Sequence, residues 1–132
     1  MKEKWTIWNP KENLSGKYYI DSVDDFDVNP IIKLSNGINN KKLIIKWNGI
    51  INSYMYSKSN INKKLSESFD LTKWTFFKTE YSEYIEWVKV QSWHLYEDGH
   101  FYHYAIVGSN AVVDIIIVTN NTTPSDPVIL EE

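Results

Sequence analysis

His94, His100 and His103, the three histidines of the chain, fall within ten residues. A metal site needs imidazoles converging at about 2 Å from one ion. His100 and His103 stand three apart in a stretch that reads as strand, and an odd spacing sends side chains to opposite faces. No cysteine and no His-Glu-x-x-His pattern accompanies them. No metal site and no cofactor are expected. A hydrolase would need a nucleophile, a base and an orienting acid. Ser92, His103 and Asp114 can be nominated, but any chain of this length supplies such a trio. The strained Gly-x-Ser-x-Gly turn is absent, and so is a glycine-rich phosphate loop. The bland reading of His103, a hydrogen-bonding residue of a strand, is the expected one.

Two acidic groups suit contact with a partner better than catalysis. Asp21, Asp24, Asp25 and Asp27 crowd one loop around Phe26. They lack the alternation and central glycine of a calcium loop. Glu80, Glu83 and Glu86 interleave with Tyr81, Tyr84 and Trp87. Acids held together attract a basic partner, and aromatics beside them are the usual anchors of protein interfaces. Asp24, Asp25, Asp27, Glu83, Tyr84 and Trp87 are therefore the candidate partner-binding residues. The competing reading of either patch is a solvated surface that gives solubility.

The elements that must position these groups follow from apolar spacing. In Lys42–Tyr56, Leu43, Ile45 and Trp47 alternate with Ile44, Lys46 and Asn48. Asn48-Gly49 then separates this run from a second ending in Tyr54 and Tyr56. Asn-Gly between two such runs signals a β-hairpin, because a type I′ turn needs positive φ at both central residues. Trp5, Ile7 and Trp8 suit a short extended piece, broken at Asn9-Pro10. Lys17–Val23 reads as strand, with Tyr18 and Ile20 on one face and Tyr19 and Asp21 on the other. Ile31–Leu34 and Lys73–Lys78 read as further strands, and Asn36-Gly37 as a tight turn. Leu65 and Phe69 would allow a helical turn or two over 63–69.

Ser82–Leu95 is the main helix candidate. Ser82 can cap it, and Glu83 and Glu86 lie in the first turn, where the helix dipole favours them. Trp87, Val90 and Trp93 break the apolar stripe, so a strand over 86–93 is the rival reading. Phe101–Val107 and Val112–Thr119 are two strands joined through Gly108-Ser109-Asn110. The second is nearly all apolar and β-branched, the pattern of a central strand covered on both faces. Strands, then one helix about 82–95, then a closing hairpin make a single α+β domain over 1–132. Its antiparallel sheet would hold about five to seven strands with the helix on one face. The tail 120–132 would be partly ordered through Val128, Ile129 and Leu130.

The totals narrow the function. All fourteen basic residues are lysine, and the net charge is −3. Arginine forks read phosphates and guanine edges, so this balance argues against nucleic acid as partner. No cysteine, no apolar leader after Met1 and no run long enough for a bilayer point to a cytoplasmic protein with no membrane partner. Aromatic residues are 15% of the chain, enough for a heavy core or for display. Display would suit a carbohydrate- or small-ligand-binding module. That module, and a small enzyme centred on His103, are the alternatives to a protein-binding role.

LSGKYYI near the start, LIIKWNGIINSY in the middle, YSEYIEWVKVQS and the closing FYHYAIVGSNAVVDII together resemble, over residues 14–118, the small immunity proteins encoded beside polymorphic or contact-dependent bacterial toxins. The resemblance implies a cytoplasmic, non-enzymatic protein that binds one cognate toxin, such as a basic nuclease domain, and blocks it. It carries over no catalytic residue.

Overall fold

The computed structural model describes residues 4–8, 16–24, 29–37, 41–47, 51–57, 69–91, 100–119 and 127–131. Within them the chain runs β1 (Thr6–Ile7), β2 (Tyr19–Asp24), β3 (Ile31–Asn36), β4 (Lys41–Lys46), β5 (Ile51–Ser57) and β6 (Phe76–Thr79), then α1 (Glu83–Gln91), β7 (His100–Val107), β8 (Val112–Thr119) and β9 (Val128–Glu131). The nine strands form two antiparallel sheets. Sheet I has the order β1-β6-β7-β8-β5 and sheet II the order β2-β3-β4-β9. The fold is thus broadly α+β, but it has more strands than the sequence suggests, in two sheets instead of one. The helix is short, and the positions 92–95 assigned to it lie outside the described residues, as do 63–68. No strand forms over 86–91, which is helical.

Alternation explains the layering. Tyr18, Ile20, Ile32, Leu34, Leu43 and Ile45 turn one face of sheet II inward. Phe76, Tyr102, Tyr104, Ile106, Val113 and Ile115 do the same from sheet I, and all belong to one buried cluster. β8 is buried on both faces, as its continuous apolar run requires. Val113, Ile115 and Ile117 face sheet II, while Ile116 packs under α1 with Ile85, Val88 and Phe101. β9 adds Ile129 to the core by pairing with β4, so Val128–Glu131 is part of sheet II, and 120–126 lie outside the described residues.

The Asn48-Gly49 hairpin is the main correction. β4 and β5 do not pair: β4 lies between β3 and β9, and β5 pairs with β8. The connection therefore passes from one sheet to the other. A turn residue reports a local change of direction; which edge the next strand joins depends on where backbone groups need partners. β8 needs a neighbour on each side, and β5 supplies the second.

The two sheets are stitched at one end by side chains. Asn110, in the β7–β8 turn, accepts from Ile20 N at 3.0 Å and donates to Ile20 O at 2.9 Å. Gly108 is required there: a Cβ would sit 2.9 Å from Ile20 Cγ1 and 3.2 Å from the Ala111 carbonyl. The half-buried Lys17 Nζ donates to the Val107 carbonyl at 2.6 Å and to the Trp74 carbonyl at 3.2 Å. Burial pushes this ammonium down to about 8 from its ordinary 10.5, against the opposing attraction of Asp70.

A pH signature follows from Lys17. Between about 8 and 10.5 the unfolded chain holds this proton and the folded chain has released it. The unfolded state then binds more protons, so this group makes stability rise with pH across that window. Below it both states are charged, and the cost of burying the ammonium is carried in full. Urea midpoints of the wild type and Lys17→Met are expected to run parallel below the window. Inside it, the wild type should gain on the variant. Parallel curves throughout would exclude the effect.

Candidate functional site

The β7–β8 hairpin sets the site by register. His103 pairs with Ile116, and Ala105 pairs with Asp114. His103 and Asp114 are therefore diagonal neighbours on the outer face of sheet I, within reach of each other's side chains. His103 Nε2 lies 2.7 Å from Asp114 Oδ1. On the other side of the ring, Nδ1 lies 2.7 Å from Ser82 Oγ. Ser82 also caps α1: its Oγ accepts from Ile85 N at 3.1 Å, and its carbonyl accepts from Glu86 N at 3.1 Å. A carboxylate only accepts, so with a neutral ring the Nε2 hydrogen goes to Asp114 and Nδ1 accepts the Ser82 hydroxyl hydrogen.

The line Asp114–His103–Ser82 has the composition of a hydrolytic triad, but it is shut. Ser82 is 1% exposed, His103 4% and Asp114 7%. Trp5 lies edge-on to the imidazole at 4.6 Å between ring centroids, and Tyr84 at 5.4 Å. Thr79, the β6 neighbour of His103, donates its hydroxyl to the Lys4 carbonyl and so holds the segment that carries Trp5. The described surface cavities lie elsewhere. One of about 380 Å³ is lined by Lys4, Thr6, Lys78, Thr79, Glu80 and Tyr102. Another of about 490 Å³ is lined by Asp21, Lys33, Leu34, Ser35 and Lys42. Neither includes a member of the line. Among the described residues no group of three or more potential ligands could hold a metal ion, and no helix is long and apolar enough to cross a membrane.

Of the nominated trio, the structure brings His103 and Asp114 together, and Ser92 lies outside the described residues. The partner that sequence reasoning missed is Ser82. It was visible as a helix cap, and its second role needed the packing of α1 over β7.

The candidate interface residues separate. Asp24 ends β2 on the outer face of sheet II, half-buried and 4.0 Å from Lys33 Nζ. Asp25 and Asp27 lie outside the described residues. Glu83, Tyr84 and Trp87 belong to α1, on the opposite outer face of the sandwich, so one flat partner surface cannot cover both them and Asp24. Within α1 the roles also divide. Ile85 and Val88 are buried, and Tyr84 turns in toward His103. Glu83, Glu86, Trp87 and Val90 are exposed. Their i, i+3, i+4, i+7 spacing places them along one stripe of the helix. Trp87 is 56% exposed and Val90 58%, the largest values among the exposed large hydrophobics of the described residues.

No protein-family model, curated protein or solved structure matches this chain.

Proposed function

We propose that this chain is a non-enzymatic binding protein that docks a protein partner on the exposed stripe of α1, acting as a cytoplasmic immunity protein that neutralises a cognate bacterial toxin by direct contact. The observation that carries the reading is the solvent-facing Trp87 beside Val90 on a helix whose other face is buried. Tryptophan is the residue type most typical of interface hot spots. Glu83 and Glu86 stand on the same stripe, which suits a partner with a basic rim such as a nuclease cleft. The resemblance in apolar spacing to immunity proteins supports the same role. The closed His103 line supports a protein without a catalytic centre.

The test uses the tagged chain as bait in lysate of its native host. The expected result is one large secreted protein, recovered through its C-terminal domain at near-equal stoichiometry. Trp87→Ala with Val90→Ala should weaken that complex by about thirtyfold or more and leave the thermal midpoint nearly unchanged. A bait that recovers no stoichiometric partner counts against the immunity role. A complex indifferent to both substitutions removes α1 as the docking face.

One observation favours a second reading, the Asp114–His103–Ser82 order itself. A hydrolase built on it would acylate Ser82. Covalent labelling of the wild type by a fluorophosphonate, lost in Ser82→Ala, would support that reading; an unlabelled, folded wild type would remove it.

A further inference from the structure

The outer face of sheet II is unlike the stripe of α1 and complementary to it. Register places its side chains in rows across the strands. Lys33 pairs with Ile44, and Ile44 with Leu130; Lys46 pairs with Val128. Along β4 the outward positions are therefore Lys42, Ile44 and Lys46, an aliphatic residue between two ammoniums. Leu130 and Val128 beside them are 42% and 37% exposed. Lys42 and Lys46 are both exposed and make no ion pair with a described residue, whereas Lys33 and Lys41 have Asp24 and Glu131. A groove of about 490 Å³ opens at the Lys42 end of this face.

We propose that this chain associates head-to-tail with a second copy of itself, the acidic Trp87 stripe of α1 on one copy docking on the lysine-flanked outer face of sheet II on the next. The argument is complementarity of charge and of shape. Each face has an apolar centre, Trp87 with Val90 on one and Ile44 with Leu130 on the other. The rims lean to opposite signs: Glu83 and Glu86 on α1, where Glu86 also meets Lys89 at 3.4 Å, against Lys42 and Lys46 on sheet II, where Asp21 and Asp24 stand toward the β2 edge. The dimensions agree: Glu83 to Val90 spans about 10 Å along a helix, and Lys42 to Lys46 about 13 Å along a strand. The two faces lie on opposite sides of the sandwich, so one chain cannot join its own, and the contact is heterologous. With lysine and glutamate on the rim, the association is sensitive to salt. It goes beyond partner docking and is read with no partner present, so its failure leaves the immunity reading standing.

The test is sedimentation velocity of the full chain over a concentration series, at about 20 mM and about 500 mM salt. The wild type should sediment faster with rising concentration at low salt, with association at least about tenfold weaker at high salt. Glu83→Lys with Glu86→Lys puts like charges on both faces, and so does Lys42→Glu with Lys46→Glu. Each double variant alone should be monomeric with an unchanged circular dichroism spectrum. An equimolar mixture of the two variants restores opposite charges across the contact and should recover association. Three results would overturn the proposal. One is a wild type that stays monomeric to about 1 mM at low salt. Another is an effect from only one variant pair, the mark of a symmetric contact through a single face. The third is a mixture that stays monomeric.

Discussion

Asp114→Ala is expected to destabilise the fold by about 2–3 kcal/mol, the upper part of the usual cost of leaving a buried donor without its acceptor. The reason lies in what the remaining groups can do. His103 is 4% exposed, and its Nε2 hydrogen would lose the acceptor now at 2.7 Å. An orphaned buried donor carries its full desolvation cost. The site also has few alternatives, since Trp5 and Tyr84 present ring edges to the imidazole. Asp114→Asn separates shape from charge. Its amide oxygen can accept the same hydrogen, so about 1–2 kcal/mol is expected there. Ser82→Ala should cost a comparable amount, because it removes both the α1 cap and the partner of Nδ1. Urea unfolding of the three variants measures this directly. If Asp114→Ala cost no more than Asp114→Asn, the pair would be incidental to the fold. A double-mutant cycle between Asp114 and Ser82 should show non-additivity, since both bond one ring.

How much of this was legible in the sequence depends on which interactions decide each element. The β7–β8 hairpin was readable because its strands and turn are contiguous, and a near-continuous β-branched run has to be central. The inward faces of β2 and β4 were readable for the same reason: burial follows alternation, so Tyr18, Ile20, Leu43 and Ile45 are all buried. Ser82 as a cap was readable because capping is local. The pairing of β5 was not, since Asn48-Gly49 is compatible with a hairpin and with a crossover between sheets. The missing information was the demand of β8 for a second neighbour, far away in the chain. The interface candidates divide in the same way. A helical projection of 83–90 separates Tyr84 from Glu83 and Trp87, but nothing local says that Asp24 sits on the opposite side of the molecule.

Tyr104→Ala probes the packing between the sheets and should cost about 3–5 kcal/mol. Tyr104 is fully buried on the inner face of β7. Its ring meets Trp8 at 5.3 Å and Trp47 at 6.1 Å, both edge-on. It thereby joins the segment after β1 and the end of β4 to the middle of sheet I. Truncation removes the ring's transfer free energy and leaves a cavity that these large, fixed indoles cannot collapse into. The Nε1 atoms of Trp8 and Trp47 are buried and make no hydrogen bond with a described residue. A cavity bordered by two such donors is polar enough to hold water, which places the expected cost toward the lower end of the range. The effect should be independent of α1. Phe101 packs on the outer face with Ile85 and Val88, so Tyr104→Ala and Phe101→Ala act in separate clusters across the sheet. Their costs should add within about 0.5 kcal/mol. Strong coupling between them would mean that the two faces of sheet I unfold and repack as one unit, and the layered description would have to be abandoned.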